Sequence, residues 1–172
     1  MLLGGKGAGL SEMTRLKLPV PPGFTITTEV CNKYYDNNGK LPKDVMPAVM
    51  KNIAKMEKKT GKKWNSTKNP LLVSVRSGAA ISMPGMMDTI LNLGLNEKTV
   101  EGFAEQTKNP RFSWDSYRRF IQLFGKVVFG VNDEKFDHVL DDAKEKQGVT
   151  DDSKLSVESL KSIVSKYKKI CE

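Results

Sequence analysis

Residues 71–95, LLVSVRSGAAISMPGMMDTILNLGL, constrain the fold more than any other stretch of the chain. Leu71, Leu72, Val73 and Val75 form a short apolar, partly β-branched run, which predicts a buried strand. The run ends on a cation, Arg76, and on the small residues Ser77, Gly78, Ala79 and Ala80. A second loop follows at Ser82-Met83-Pro84-Gly85, and Asp88 to Leu93 predicts a further strand closed by Gly94. Small side chains let backbone N–H groups approach an anion, and an arginine fork adds charge-assisted hydrogen bonds. The plainer reading, a strand, a turn and a surface arginine, fits the pattern equally well.

Upstream, residues 6–17 predict a short helix with Leu10, Met13 and Leu16 or Lys17 on one side. Its start, Gly4-Gly5-Lys6-Gly7-Ala8-Gly9, is rich in glycine, which leaves backbone donors and the positive end of the helix dipole open. Pro19 to Gly23 reads as a rigid linker, Phe24 to Thr27 as an alternating strand, and Thr28 as the N-cap of a helix reaching Tyr34 or Tyr35. A helix over about 44–60 carries Val45, Val49, Ile53 and Met56 on one stripe, with Gly61 as its stop. After Gly94 the strand patterns cease. Residues 98–107, 112–130, 134–146 and 156–170 all read as amphipathic helices, the last with Ser156 as N-cap. The expected fold class is α/β (α+β). Residues 1–95 form a subdomain with a small mixed sheet, and 96–172 form a helical subdomain.

Charge follows the same division. Residues 1–95 hold 14 Lys and Arg against 6 Asp and Glu, whereas 96–172 hold 14 of each, so the net +8 lies wholly in the glycine-motif half. That suits a polyanionic ligand. Much of the excess comes from Lys51, Lys55, Lys58, Lys59, Lys62, Lys63 and Lys68, which read as a solvated helix face and its following loop. Cys31 and Cys171 lie far apart, without metal-ligand spacing, and read as free thiols. No apolar run approaches the roughly 20 residues of a bilayer span, and no signal-peptide pattern is visible.

Lys6 does not sit in the phosphate loop of the large NTPase class, which needs Ser or Thr after the lysine. Four motifs instead resemble the pyruvate, phosphate dikinase family in its N-terminal nucleotide-binding domain. They are Gly4 to Leu10 with Ser11-Glu12-Met13, Leu18 to Phe24, residues 71–95, and Asn109 to Phe112 through Asp115 to Phe120. The phosphoenolpyruvate synthases share the glycine-lysine start and the strand-end arginine and remain an alternative kinship. The resemblance implies an ATP-grasp-type fold, with ATP or AMP as ligand and Mg2+ as cofactor. It implies that Lys6 and Arg76 contact nucleotide phosphates, joined by Ser82, Gly85 and Thr89. It implies no catalytic residue and no metal ligand in this chain, since the family's phosphohistidine and acidic metal ligands lie on other domains. The family reaction interconverts ATP, phosphate and pyruvate with AMP, pyrophosphate and phosphoenolpyruvate. Expected partners are ATP, phosphate and the remaining domains of a homodimeric parent, with neither nucleic acid nor membrane. The expected compartment is cytoplasmic, or alternatively a plastid or glycosome. Relative to the family the chain reads as a fragment, incomplete at its N-terminus; a non-catalytic nucleotide-binding or interaction module is the other reading.

Four further groups compete for roles. Asp88 could assist a metal, but a strand start takes a polar residue in any case. Met83, Met86 and Met87 could line an adenine pocket or fill core. His138 lies in a helical pattern without small-residue context and reads as a surface position. Arg118 and Arg119 sit among aromatics, as in a nucleic-acid reader, but their helix belongs to the neutral half.

Overall fold

The structure is a computed structural model, and it describes residues 2–78 and 89–172. The chain is a mixed α+β fold: seven α-helices, one 3-10 turn and a two-stranded sheet among the described residues. The elements run α1 (Gly4–Arg15), α2 (Thr28–Asp36), α3 (Val45–Thr60), β1 (Val73–Arg76), β2 (Thr89–Leu93), α4 (Thr99–Thr107) and α5 (Pro110–Phe129). After these come α6 (Asp133–Gln147), the 3-10 turn Asp152–Lys154 and α7 (Val157–Cys171). Strand β1 pairs with β2. No strand occurs after Leu93 among the described residues, as the loss of alternating patterns predicts.

The chain folds into two compact units whose sequences interleave. The first comprises residues 1–62 and 76–88, the second 63–75 and 89–172. In the second unit α5 packs against β2, α4, α6 and α7, and α6 packs against α7. Its core joins Leu95, Val100, Trp114, Tyr117, Ile121, Phe136, Leu140, Leu155, Leu160, Ile163, Val164 and Tyr167. Phe136 and Tyr167, both wholly buried, meet edge-on at 4.8 Å. The Tyr167 hydroxyl donates to the Phe136 carbonyl at 3.0 Å, so this bulky phenol enters the core without an orphaned polar atom. Each such side chain contributes about 1.5–3 kcal/mol when buried.

Local chemistry fixes the helix ends. The Asn109 side chain accepts from the Phe112 N–H at 3.0 Å and Pro110 takes the first helical position of α5. Ser156 caps α7 by accepting from the Ser159 N–H at 3.1 Å. Gly61 ends α3 in the left-handed region at φ 70°, and Pro47 falls in that helix's first turn, where its missing N–H costs nothing.

Three local expectations need correction. The run from Leu71 to Val75 is not a buried strand: β1 is Val73–Arg76, with Val73 half-buried and Ser74, Val75 and Arg76 exposed, while the buried Leu71 precedes it. Phe24 to Thr27 is not a strand. Thr27 is extended (φ −75°, ψ 160°), but no described strand pairs with the segment, and Phe24 and Ile26 are exposed. Alternating β-formers make a strand only where a neighbour supplies the ladder. The N-cap of α2 is Thr27 rather than Thr28, and it caps through no side-chain bond.

The first unit is packed sparsely. Among its described apolar residues only Val45 and Ile53 are buried. The α1 residues Leu10 and Met13, and Leu16 and Leu18 beyond them, are exposed, as are Met46 and Met50 on α3. The seven lysines from Lys51 to Lys68 are all exposed, in accord with a solvated face.

Candidate phosphate-binding site

The glycine run becomes the first turns of α1. Leu3, at the N-cap, contributes no side-chain hydrogen bond, and the first turn holds no acidic residue. A helix start normally has its free N–H groups satisfied by a capping oxygen or a carboxylate. Among the described residues neither is supplied at this end of the 12-residue α1, the end where the helix dipole is positive. Lys6 stands in this first turn, partly buried.

Gly4, the buried first residue of α1, has φ 64°, a conformation that favours glycine. A Cβ built on Gly4 would stand 3.5 Å from the backbone of Gly78. Gly78 lies two residues beyond Arg76, in the loop that leaves β1. The glycine motif and the strand-exit loop, 74 positions apart from Gly4 to Gly78, therefore meet backbone to backbone within the first unit. Arg76 is exposed, and no ion pair engages it among the described residues. A Cβ on Gly7 would stand 3.2 Å from Thr25 Oγ1, so the linker-borne segment backs the helix start.

Of the other residues named from the sequence, Thr89 opens β2 and is partly buried. Ser82 and Gly85 lie outside the described residues, as do Asp88, Met83, Met86 and Met87. His138 is exposed on α6. Cys31 and Cys171 are both free thiols; burial pushes the Cys171 thiol up from its ordinary range. No helix among the described residues is long and apolar enough to cross a membrane.

The sequence reading missed an ionic cluster in the second unit. Arg118 is 2% exposed, and both its Nε and Nη2 reach Asp115 Oδ1 at 2.8 Å. Burial works against its charge, yet Asp115 prevails and raises the guanidinium pKa above its ordinary value. Arg118 also reaches Asp152 at 3.5 Å, while Arg111 Nε donates to the Leu155 carbonyl at 3.1 Å. These bonds tie α5 to the 3-10 turn ahead of α7. The i, i+3, i+4 spacing of Asp115, Arg118 and Arg119 was the available signal for its local half; nothing local announces Asp152.

The family described as pyruvate phosphate dikinase, AMP/ATP-binding domain, matches residues 1–41 and 37–171. The chain belongs to this family. As a member of the dikinase AMP/ATP-binding domain family it is 54% identical over 171 residues to the pyruvate, phosphate dikinase of Entamoeba histolytica, covering 99% of this chain. It is 51% identical over 169 residues to that of Clostridium symbiosum and 50% over 170 to that of Giardia intestinalis. In each case the match covers 19% of the relative, so the chain spans about a fifth of the length of these dikinases.

Proposed function

We propose that this chain supplies the phosphate contacts of the AMP/ATP-binding domain of a pyruvate, phosphate dikinase. The observation that carries the reading is the uncapped, acid-free start of α1, against which the backbone of the β1 exit loop packs at Gly78. On this reading the N–H groups at the start of α1, the Lys6 ammonium and the Arg76 guanidinium, all of the first unit, serve one ligand. The type of ligand they suit is a polyphosphate, whose charge these groups neutralise. The relatives that match over nearly the whole chain carry the dikinase name, and the matching family is an AMP/ATP-binding domain.

On this reading the parent interconverts ATP, phosphate and pyruvate with AMP, pyrophosphate and phosphoenolpyruvate. Lys6 and Arg76 hold phosphate oxygens and stabilise charge that develops as a phosphoryl group moves. Ser82 and Thr89 donate hydroxyl hydrogen bonds, and Gly85 permits close backbone approach. The ATP-grasp architecture, the role of Mg2+, the homodimeric parent and the cytoplasmic location belong to the same reading. Among the described residues no group of three His, Cys, Asp or Glu side chains converges to hold a metal ion.

The test uses the full-length parent. Lys6→Ala and Arg76→Ala should each slow the ATP- and phosphate-dependent half-reaction by about 30- to 1,000-fold, since one charge-assisted contact at a transition state is worth about 2–4 kcal/mol. Exchange of label between pyruvate and phosphoenolpyruvate should continue at the parental rate. If folded variants lose both activities together, these residues maintain structure and the nucleotide assignment is wrong.

A further inference from the structure

One side of α5 carries Arg111, Asp115, Arg118, Arg119, Gln122 and Lys126, spaced at i, i+4, i+7, i+8, i+11 and i+15. Its cations are used within the second unit. Arg111 donates to the carbonyls of Leu155 and Asp152. Arg118 binds Asp115 and Asp152. Lys126 binds Asp133 at 2.5 Å.

Arg119 differs. Its Nε donates to Asp115 Oδ2 at 3.1 Å, while its side chain remains 64% exposed. Neither of its terminal nitrogens makes a hydrogen bond or ion pair among the described residues. The anchor itself is fixed, because Asp115 is 8% exposed and its other oxygen is gripped by the buried Arg118. Asp115 thus holds both guanidinium groups, one through each oxygen, and only Arg118 has a second carboxylate, Asp152. An ordinary surface arginine must freeze several rotors before it can bind, which costs affinity. Arg119 is held at Nε already, so its two outer N–H edges are presented to solvent as a fork of known orientation.

We propose that Arg119 is a pre-oriented receptor for an oxyanion, phosphoryl or carboxylate, taken end-on through Nη1 and Nη2. Lysine, a point charge without the fork or the Nε anchor, would not reproduce it. The proposal does not rest on the roles given to Lys6 and Arg76.

The experiment follows the arginine Nε–Hε resonances and backbone amides of the 172-residue chain by NMR. Inorganic phosphate, pyrophosphate and acetate are added separately, with ionic strength held constant by chloride. The expected result is a saturable shift of the Arg119 Nε–Hε resonance and of amides in 115–123, retained in Arg76→Ala. Arg119→Lys should weaken this binding about tenfold or more, the worth of one charge-assisted hydrogen bond. Arg119→Ala should abolish it while leaving the urea midpoint close to the parent's, which separates binding from folding. A response to phosphate or pyrophosphate alone assigns a phosphoryl ligand, and a response to acetate of equal strength assigns a carboxylate. No saturable shift at Arg119 with any of the three, or equal binding by Arg119→Lys, would overturn the proposal.

Discussion

A Cβ placed on Gly102, within α4, would stand 1.9 Å from the carbonyl oxygen of Thr67 and 2.5 Å from its carbonyl carbon. Both atoms are backbone, so no rotamer change relieves the overlap. The helix and the loop must separate, and Gly102→Ala should destabilise the chain by about 2–4 kcal/mol despite alanine's better helix propensity. Urea unfolding followed by far-ultraviolet circular dichroism measures this; an unchanged or raised midpoint would mean the two backbones are not in contact. The thiols give a second check at this scale. Cys31 is exposed, whereas burial raises the Cys171 pKa and leaves less thiolate. Maleimide at neutral pH should therefore label Cys31 well before Cys171 in the folded chain, with the difference vanishing in urea. Lys6 and Arg76 could be singled out from sequence because their neighbours are glycines and small residues in contiguous motifs. The approach of Gly4 to Gly78 could not, because it joins two backbones far apart in the chain and neither glycine carries a side chain to advertise it.

The helices were readable one by one because their signals are local. Asn109-Pro110 and Ser156 mark starts by side-chain chemistry that operates within three residues. Ser156→Ala should accordingly cost about 1 kcal/mol, visible as a lowered urea midpoint. Threonine at the same position should restore most of it. Phe24 to Thr27 misled because a strand depends on another strand, and the sheet contains β1 and β2 alone among the described residues. Between α5 and α6, the hydrogen bond from Lys126 holds the Asp133 carboxyl below its ordinary range. A carboxyl depressed by folding contributes stability in full above its unfolded pKa, about 4. That contribution disappears as pH falls through the lower folded value. The parent should lose stability more steeply below about pH 4 than Lys126→Met does, as shown by urea midpoints between pH 7 and pH 2.5. Parallel curves for the two proteins would show that the pair contributes nothing to the acid response.

At the scale of the molecule, the two units differ in how much apolar surface they remove from water. The second buries a continuous core across α4, α5, α6 and α7, while the described part of the first buries Val45 and Ile53. Local opening costs least where buried contacts are few. Amide exchange should be slowest in α5 and α7 and fast throughout α1 and α2; equal protection of α1 and α7 would contradict this packing. The helices after Gly94 were legible because their periodicity and their caps agree with one another.

The interleaving of the two units has a consequence for how the chain comes off the ribosome. The first unit is not complete until residue 88 has been made, yet residues 63–75, which belong to the second, emerge before it closes. Those thirteen residues include Leu71, buried and without its own unit until the far longer stretch after Thr89 arrives. Each early stretch must wait for later partners, so neither unit can be gained, lost or exchanged by a single cut in the gene.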